Sequence, residues 1–235
     1  MKNIIIATLP ALAASALHAV SLTSGHFDIS AEFTGTEFEA NIHDHENEIE
    51  YEPNEATFVG SNSIREFLPA GTPFGSAGSP IWVFPESEAE ANLKNAPFIG
   101  IGMEEVAEEY GPTGTVDPNF FKDNIITIEL TGFTGPGGFY LFDGSLATPT
   151  MIWDPQAPGA DTLVIDFNLE DHMHANWGFT APGEYFLDIS FTAENALTSE
   201  IYTGSGTYAF AVPEPRTYAL LAGFGVLAFA MWRRR

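Results

Sequence analysis

The sequence predicts an all-β fold, an antiparallel β-sandwich, and three observations carry that expectation. Short runs rich in β-branched and aromatic residues recur between clusters of Gly, Pro and Asn. Several runs alternate apolar and polar residues with period two, as a half-buried strand must. The connections carry explicit turn chemistry at Gly135-Pro136-Gly137-Gly138, Asp143-Gly144, Ala181-Pro182-Gly183 and Gly204-Ser205-Gly206.

In chain order the expected strands are Leu22–Ile29, Glu37–His43, Ile125–Leu130, Gly138–Phe142, Thr162–Leu169, Glu184–Phe191 and Thr207–Val212. In Ile125–Leu130 the even positions are apolar. In Tyr185–Phe191 the odd positions form the buried stripe, and Asp188 and Ser190 face water. Such a set suits an Ig-like or jelly-roll-like sandwich. Two stretches differ. Ser87–Asn95 has a capping residue and helix formers, which predicts a short surface helix. Pro69–Pro80, rich in Gly and Pro, reads as an ordered loop leading into Ile81-Trp82-Val83-Phe84. No internal repeat or second domain boundary is evident, so residues 20–212 are expected to form one domain.

The two ends read as addresses. Lys2, the apolar run Ile4–Leu17 and small residues at Ala14-Ser15-Ala16 and Ala19 predict a signal peptide over residues 1–19. At the other end Pro213-Glu214-Pro215 precedes an apolar run from Tyr218 to Trp232 and then Arg233-Arg234-Arg235. An apolar run of about 15 residues is short for a membrane span of about 20, which suits a temporary anchor. Terminal arginines hold that end on the cytoplasmic side. Residues 213–235 resemble the PEP-CTERM sorting signal of Gram-negative bacteria. The resemblance implies a transient inner-membrane helix, an exosortase partner, and final placement in the periplasm, at the cell surface or in an extracellular matrix.

Charge narrows the function further. Arg65, Lys94 and Lys122 are the only lysines or arginines of residues 20–212, and Glu214 is the only acidic residue outside them. The balance for that body is about −28, which repels nucleic acid and anionic lipid and concentrates cations. No cysteine is present, so disulfides, thiolate metal ligands and a catalytic thiol are excluded. The many aromatics argue against a disordered chain.

Five of the six histidines fall in three places: His26, the pair His43 and His45, and the pair His172 and His174. On a strand, residues i and i+2 share a face, so His-x-His offers two imidazoles to one ion. Zinc and its neighbours favour such ligands, completed from elsewhere in the chain. Asp44 and Asp171, beside the pairs, are candidates for further ligands or for orienting a ring. For a four-ligand site His45 is the first to be set aside.

Six segments together resemble the choice-of-anchor M domain, a surface-anchored domain found beside metal-type ABC transport systems and, with a PEP-CTERM tail, under zinc-responsive control. They are Leu22–Ile29, Tyr51–Ala56, Gly78–Val83, Ile99–Glu105, Leu130–Gly137 and His172–Gly183, the last containing His172-Met173-His174-Ala175-Asn176-Trp177. The resemblance singles out His26, His43, His172 and His174 as metal ligands and implies zinc or a related divalent metal as the ion. Asp171 stands where the family pattern leads us to expect a small residue. Trp177 and Phe179 are expected to be core anchors framing the last pair.

The function expected is therefore a non-enzymatic, exported zinc-binding protein that captures or buffers metal, with a metal ABC transport system as a partner. The alternative is a structural or adhesive matrix protein with incidental histidines. A hydrolase finds no Gly-x-Ser-x-Gly elbow and no His-Glu-x-x-His helix in this sequence.

Overall fold

The computed structural model describes residues 20–157, 159 and 161–213. The expected signal peptide and the sorting segment beyond Pro213 lie outside them. Three sheets and two short helices make up the described chain. The largest sheet runs in the order β1 (Val20–Leu22), β5 (Ala56–Val59), β16 (Ile201–Val212), β15 (Gly183–Glu194), β9 (Ile125–Thr134) and β12 (Thr162–Asp166). The second runs β11 (Thr148–Trp153), β10 (Phe139–Ser145), β14 (Asn176–Phe179), β7 (Pro80–Phe84) and β6 (Arg65–Phe67). The third runs β13 (His172–His174), β8 (Pro97–Gly102), β2 (Gly25–Phe33), β3 (Phe38–Asp44) and β4 (Ile49–Tyr51). The helices are α1 (Glu88–Lys94) and α2 (Glu104–Tyr110).

The all-β expectation holds, but the architecture is not a purely antiparallel pair of sheets. β1 with β5, β5 with β16, and β2 with β8 are parallel. The stretch Leu22–Ile29, expected as one strand, is two. Gly25 sits at φ +113°, a conformation that L side chains rarely adopt, and the chain there passes from the largest sheet into the third. Thr162–Leu169 stops as a strand at Asp166, whose carboxylate accepts from the Asn168 backbone N–H and turns the chain.

Where alternation is strong, the structure follows it. Ile126, Ile128 and Leu130 of β9 are buried, as are Tyr185, Leu187, Ile189 and Phe191 of β15. These side chains belong to one aromatic-rich core that joins all three sheets. Phe58 of the largest sheet meets Phe27 of the third at 6.1 Å between ring centroids. Phe210 stacks on Trp177 of the second sheet at 5.3 Å. Trp177 and Phe179 are fully buried, as core anchors should be. The short helix falls as expected, ending at Asn95 in the left-handed conformation that closes many helices. Among the described residues no helix is long and apolar enough to cross a membrane.

Candidate metal centre

The third sheet has a core face and a polar face. In β2 the odd residues Phe27, Ile29, Ala31 and Phe33 enter the core, and His26 and Asp28 take the opposite face. Register then lines up one row across the whole sheet. His174 pairs with Gly100, Gly100 with Asp28, Asp28 with His43, and His43 with Glu50. Four chemically active side chains from four strands thus share a line, with a glycine at the second position.

Asp28 is the centre of this group and has no accessible surface. The rings of His26 and His45 stack at 4.2 Å between centroids and address its two oxygens. His45 Nε2 lies 3.0 Å from Oδ2, and His26 Nε2 lies 3.5 Å from Oδ1, too long for a strong hydrogen bond. From the other side of the row comes His174, whose ring stacks on Phe98 at 3.8 Å and approaches His26 at 4.9 Å. The edge of His172 meets His174 at 5.6 Å, and that of His43 meets His45 at 4.4 Å. All five histidines of the exported body therefore form one continuous cluster.

The glycines of β8 make room for it. A Cβ on Gly100 would stand 2.1 Å from Asp28 Oδ1 and 3.0 Å from His174 Nδ1. One on Gly102 would stand 2.6 Å from Asp28 Oδ2 and 2.4 Å from Glu104 Oε2. Glu104, the first residue of α2, thus folds over Gly102 toward Asp28, and its Oε1 lies 3.5 Å from His172 Nδ1.

Electrostatics follow from this crowding. Burial alone would raise the Asp28 carboxyl, but the facing imidazoles of His26 and His45, with His174 behind, hold it well below the usual carboxylate range. The hydrogen bond to Asp28 raises His45. Burial pushes His174 down to about 4. Burial, with the charge of Asp28, raises Glu104. His172 is burdened by burial, yet Asp171 at 3.0 Å and Glu104 outweigh that and raise it.

Three potential ligand atoms are buried without a hydrogen-bond partner: His26 Nε2, Asp28 Oδ1 and His174 Nδ1. Among the described residues no lysine or arginine pairs with Asp28. The ligand atoms of His26, Asp28 and His45 all lie within 4.8 Å of one another. Ligands around a tetrahedral zinc at about 2.0–2.1 Å sit roughly 3.3 Å apart, so small side-chain adjustments suffice to close this set on one ion. The donor types suit the ion.

Of the four histidines singled out by resemblance, His26 and His174 address the centre and His172 flanks it. His43 is the exception. Its Nδ1 turns to Glu50, and His45, the residue set aside first, takes the place beside Asp28. The reason is local. Asp44 is buried, accepting from the backbone N–H groups of Glu46 and Asn47, and this turn swings His45 back over the sheet, where its N–H meets the His26 carbonyl. Asp44 therefore shapes the loop and is absent from the centre. Asp171 reaches only His172. Sequence reasoning missed Asp28 and Glu104. The signal for Asp28 was present, because His26-Phe27-Asp28 has the same i, i+2 spacing as the histidine pairs. Glu104 had no comparable signal.

The segment after the last pair is firmly held. After a single residue, Ala175, the chain leaves β13 for β14 in the second sheet. Trp177 Nε1–H donates to the Ile99 carbonyl at 3.1 Å, tying β14 to β8. Asn176 donates to Glu86 and the Gly144 carbonyl and accepts from the Glu86 N–H.

Residues 211–235 match the model of the PEP-CTERM protein-sorting motif. The protein is thus an exported one, sorted by an exosortase and directed to the cell surface. No curated protein and no solved structure matches the chain.

Proposed function

We propose that the protein binds a divalent first-row metal ion, with zinc among those its imidazole and carboxylate donors suit, and captures or buffers it outside the inner membrane. The observation that carries this reading is the group of His26, Asp28 and His45, whose ligand atoms lie within 4.8 Å of one another, with His26 Nε2 and Asp28 Oδ1 buried and unpartnered and a third such atom, His174 Nδ1, against Gly100 beside Asp28 Oδ1. Buried polar atoms in native proteins nearly always have partners. Three orphans of ligand type at one place are accounted for by a cation that joins them. His45, in contact with Asp28, supplies the fourth donor, and Glu104 and His172 border the site.

The surrounding charge supports the same role. A body with about 28 excess negative charges concentrates cations at its surface. Delivery to the cell surface puts the site where extracytoplasmic metal is met, and a metal ABC transport system is the class of partner that would take the ion onward. In this reading the site is a binding centre, with no reaction assigned to it. Copper binds such donors more tightly than zinc does, so cellular supply decides the resident ion.

Thermal unfolding of the full chain tests the proposal. Zinc at about 100 times its Kd stabilises the folded state by about 2.7 kcal/mol. For a domain of this size that corresponds to a rise in Tm of about 5–10 °C. The His26→Ala/His174→Ala variant is expected to show no rise. An equal rise in that variant would place the ion elsewhere.

A further inference from the structure

We propose a second, outer cation position beside the first, held by His43, Glu50 and Glu105. It rests on the reading of the inner centre as a metal site and extends it to a pair. The three side chains come from β3, β4 and α2, and their ligand atoms all lie within 4.8 Å of one another. One imidazole and two carboxylates are a donor set for zinc or a neighbouring divalent ion. The His43 ring touches that of His45, so the two positions are in contact through adjacent histidines of one strand end.

Two acidic hollows flank this place. Asn41 precedes His43 by two residues on the same strand face. Its amide oxygen is buried and unpartnered, and the side chain lines a surface hollow of about 760 Å³ together with Glu50. Glu32, Glu39, Glu52 and Glu55 complete the acid lining of that hollow. On the other side Glu105 lines a second hollow of about 470 Å³ with Glu32, Glu108 and Glu109. Neither lining contains a lysine or arginine. The triad thus bridges two acidic concavities whose field draws in cations, and it stands between open solvent and the buried centre at Asp28. The outer position meets the ion first, and the inner one, with more imidazole donors and less solvent, retains it.

The test is a zinc titration of the full chain against a chromophoric competitor, repeated on Glu50→Gln/Glu105→Gln. Both residues are exposed, so the fold tolerates the change. The wild type is expected to take two ions, the second more weakly. The variant is expected to lose the second and keep the first at unchanged affinity. A wild type that binds one ion, or a variant that keeps both, overturns the outer position and leaves the inner one standing. Failure to bind any zinc overturns both. Anomalous diffraction from zinc-soaked crystals gives an independent count, with two peaks expected near His43 and Asp28, and a lone peak at Asp28 contradicting the pair.

Discussion

Asp28 is a carboxylate with no accessible surface, faced by imidazoles and by Glu104, and the residues around it respond to that fact in opposite directions. His174 is depressed to about 4, so between pH 6.5 and 4 the unfolded chain binds the extra proton. Its contribution to stability is present above 6.5 and is lost as pH falls through that window. His45 is raised by Asp28, so its contribution is full below 6.5 and is lost as pH rises through the raised value. In the presence of a chelator, His174→Asn is therefore expected to flatten the acid limb of a denaturation-midpoint profile between pH 6.5 and 4. His45→Asn should flatten the limb above 6.5 instead. Profiles unchanged by either substitution would contradict the assignment of these burdens. Gly100 is the second sensitive residue. Gly100→Ala drives a methyl into Asp28 Oδ1, which must move, and overpacking of this kind costs about 1–3 kcal/mol. Its zinc affinity is expected to fall with its stability. Retention of both would show that the cradle is looser than its distances imply. At this scale period-two spacing in the sequence announced the shared face of His172 and His174, whereas His26 was brought out only by the family resemblance. The spacing gave no reason to expect His45 rather than His43 beside Asp28, since that placement depends on the Asp44 turn, a loop geometry with no periodic signature.

The elements explain why those side chains hold their places. β13 is three residues long and pairs only with β8, so it has little stability of its own. Its order comes from Trp177 three residues past its end, whose indole spans from the second sheet to the Ile99 carbonyl of β8. Trp177→Phe keeps most of the packing and removes that hydrogen bond. We expect a modest loss of stability, about 1–2 kcal/mol by urea denaturation, with a larger loss of metal affinity. Trp177→Ala should cost about 3–5 kcal/mol. If Trp177→Phe left metal affinity unchanged, β13 would be held by something other than the indole. Strong alternation made β9 and β15 legible from sequence, down to which positions are buried. β8 was not, because Ile99-Gly100-Ile101-Gly102 lacks polar residues on its second face. Its glycines leave space for ligands, so the segment most important to the centre looked least like an amphipathic strand. Parallel pairing of β2 with β8 was equally hidden, since it is decided by a connection of more than sixty residues.

At the scale of the molecule, three sheets share one aromatic core, and the histidine cluster sits on the outer face of the third sheet, close to the acidic hollows. The fold class was readable from turn chemistry and alternation. The division into three sheets was not, because it hinges on single residues such as Gly25 that pass the chain between layers. The sorting motif at residues 211–235 directs this body to the cell surface, and its large negative charge favours cations there. The central claim is that this cluster holds a metal ion when the protein is made in a cell. Elemental analysis of the full chain purified without added metal addresses it most directly. The account predicts at least one divalent first-row ion per chain, lost in His26→Ala/His174→Ala. Metal at background level in the wild type, or equal metal in the variant, would contradict it.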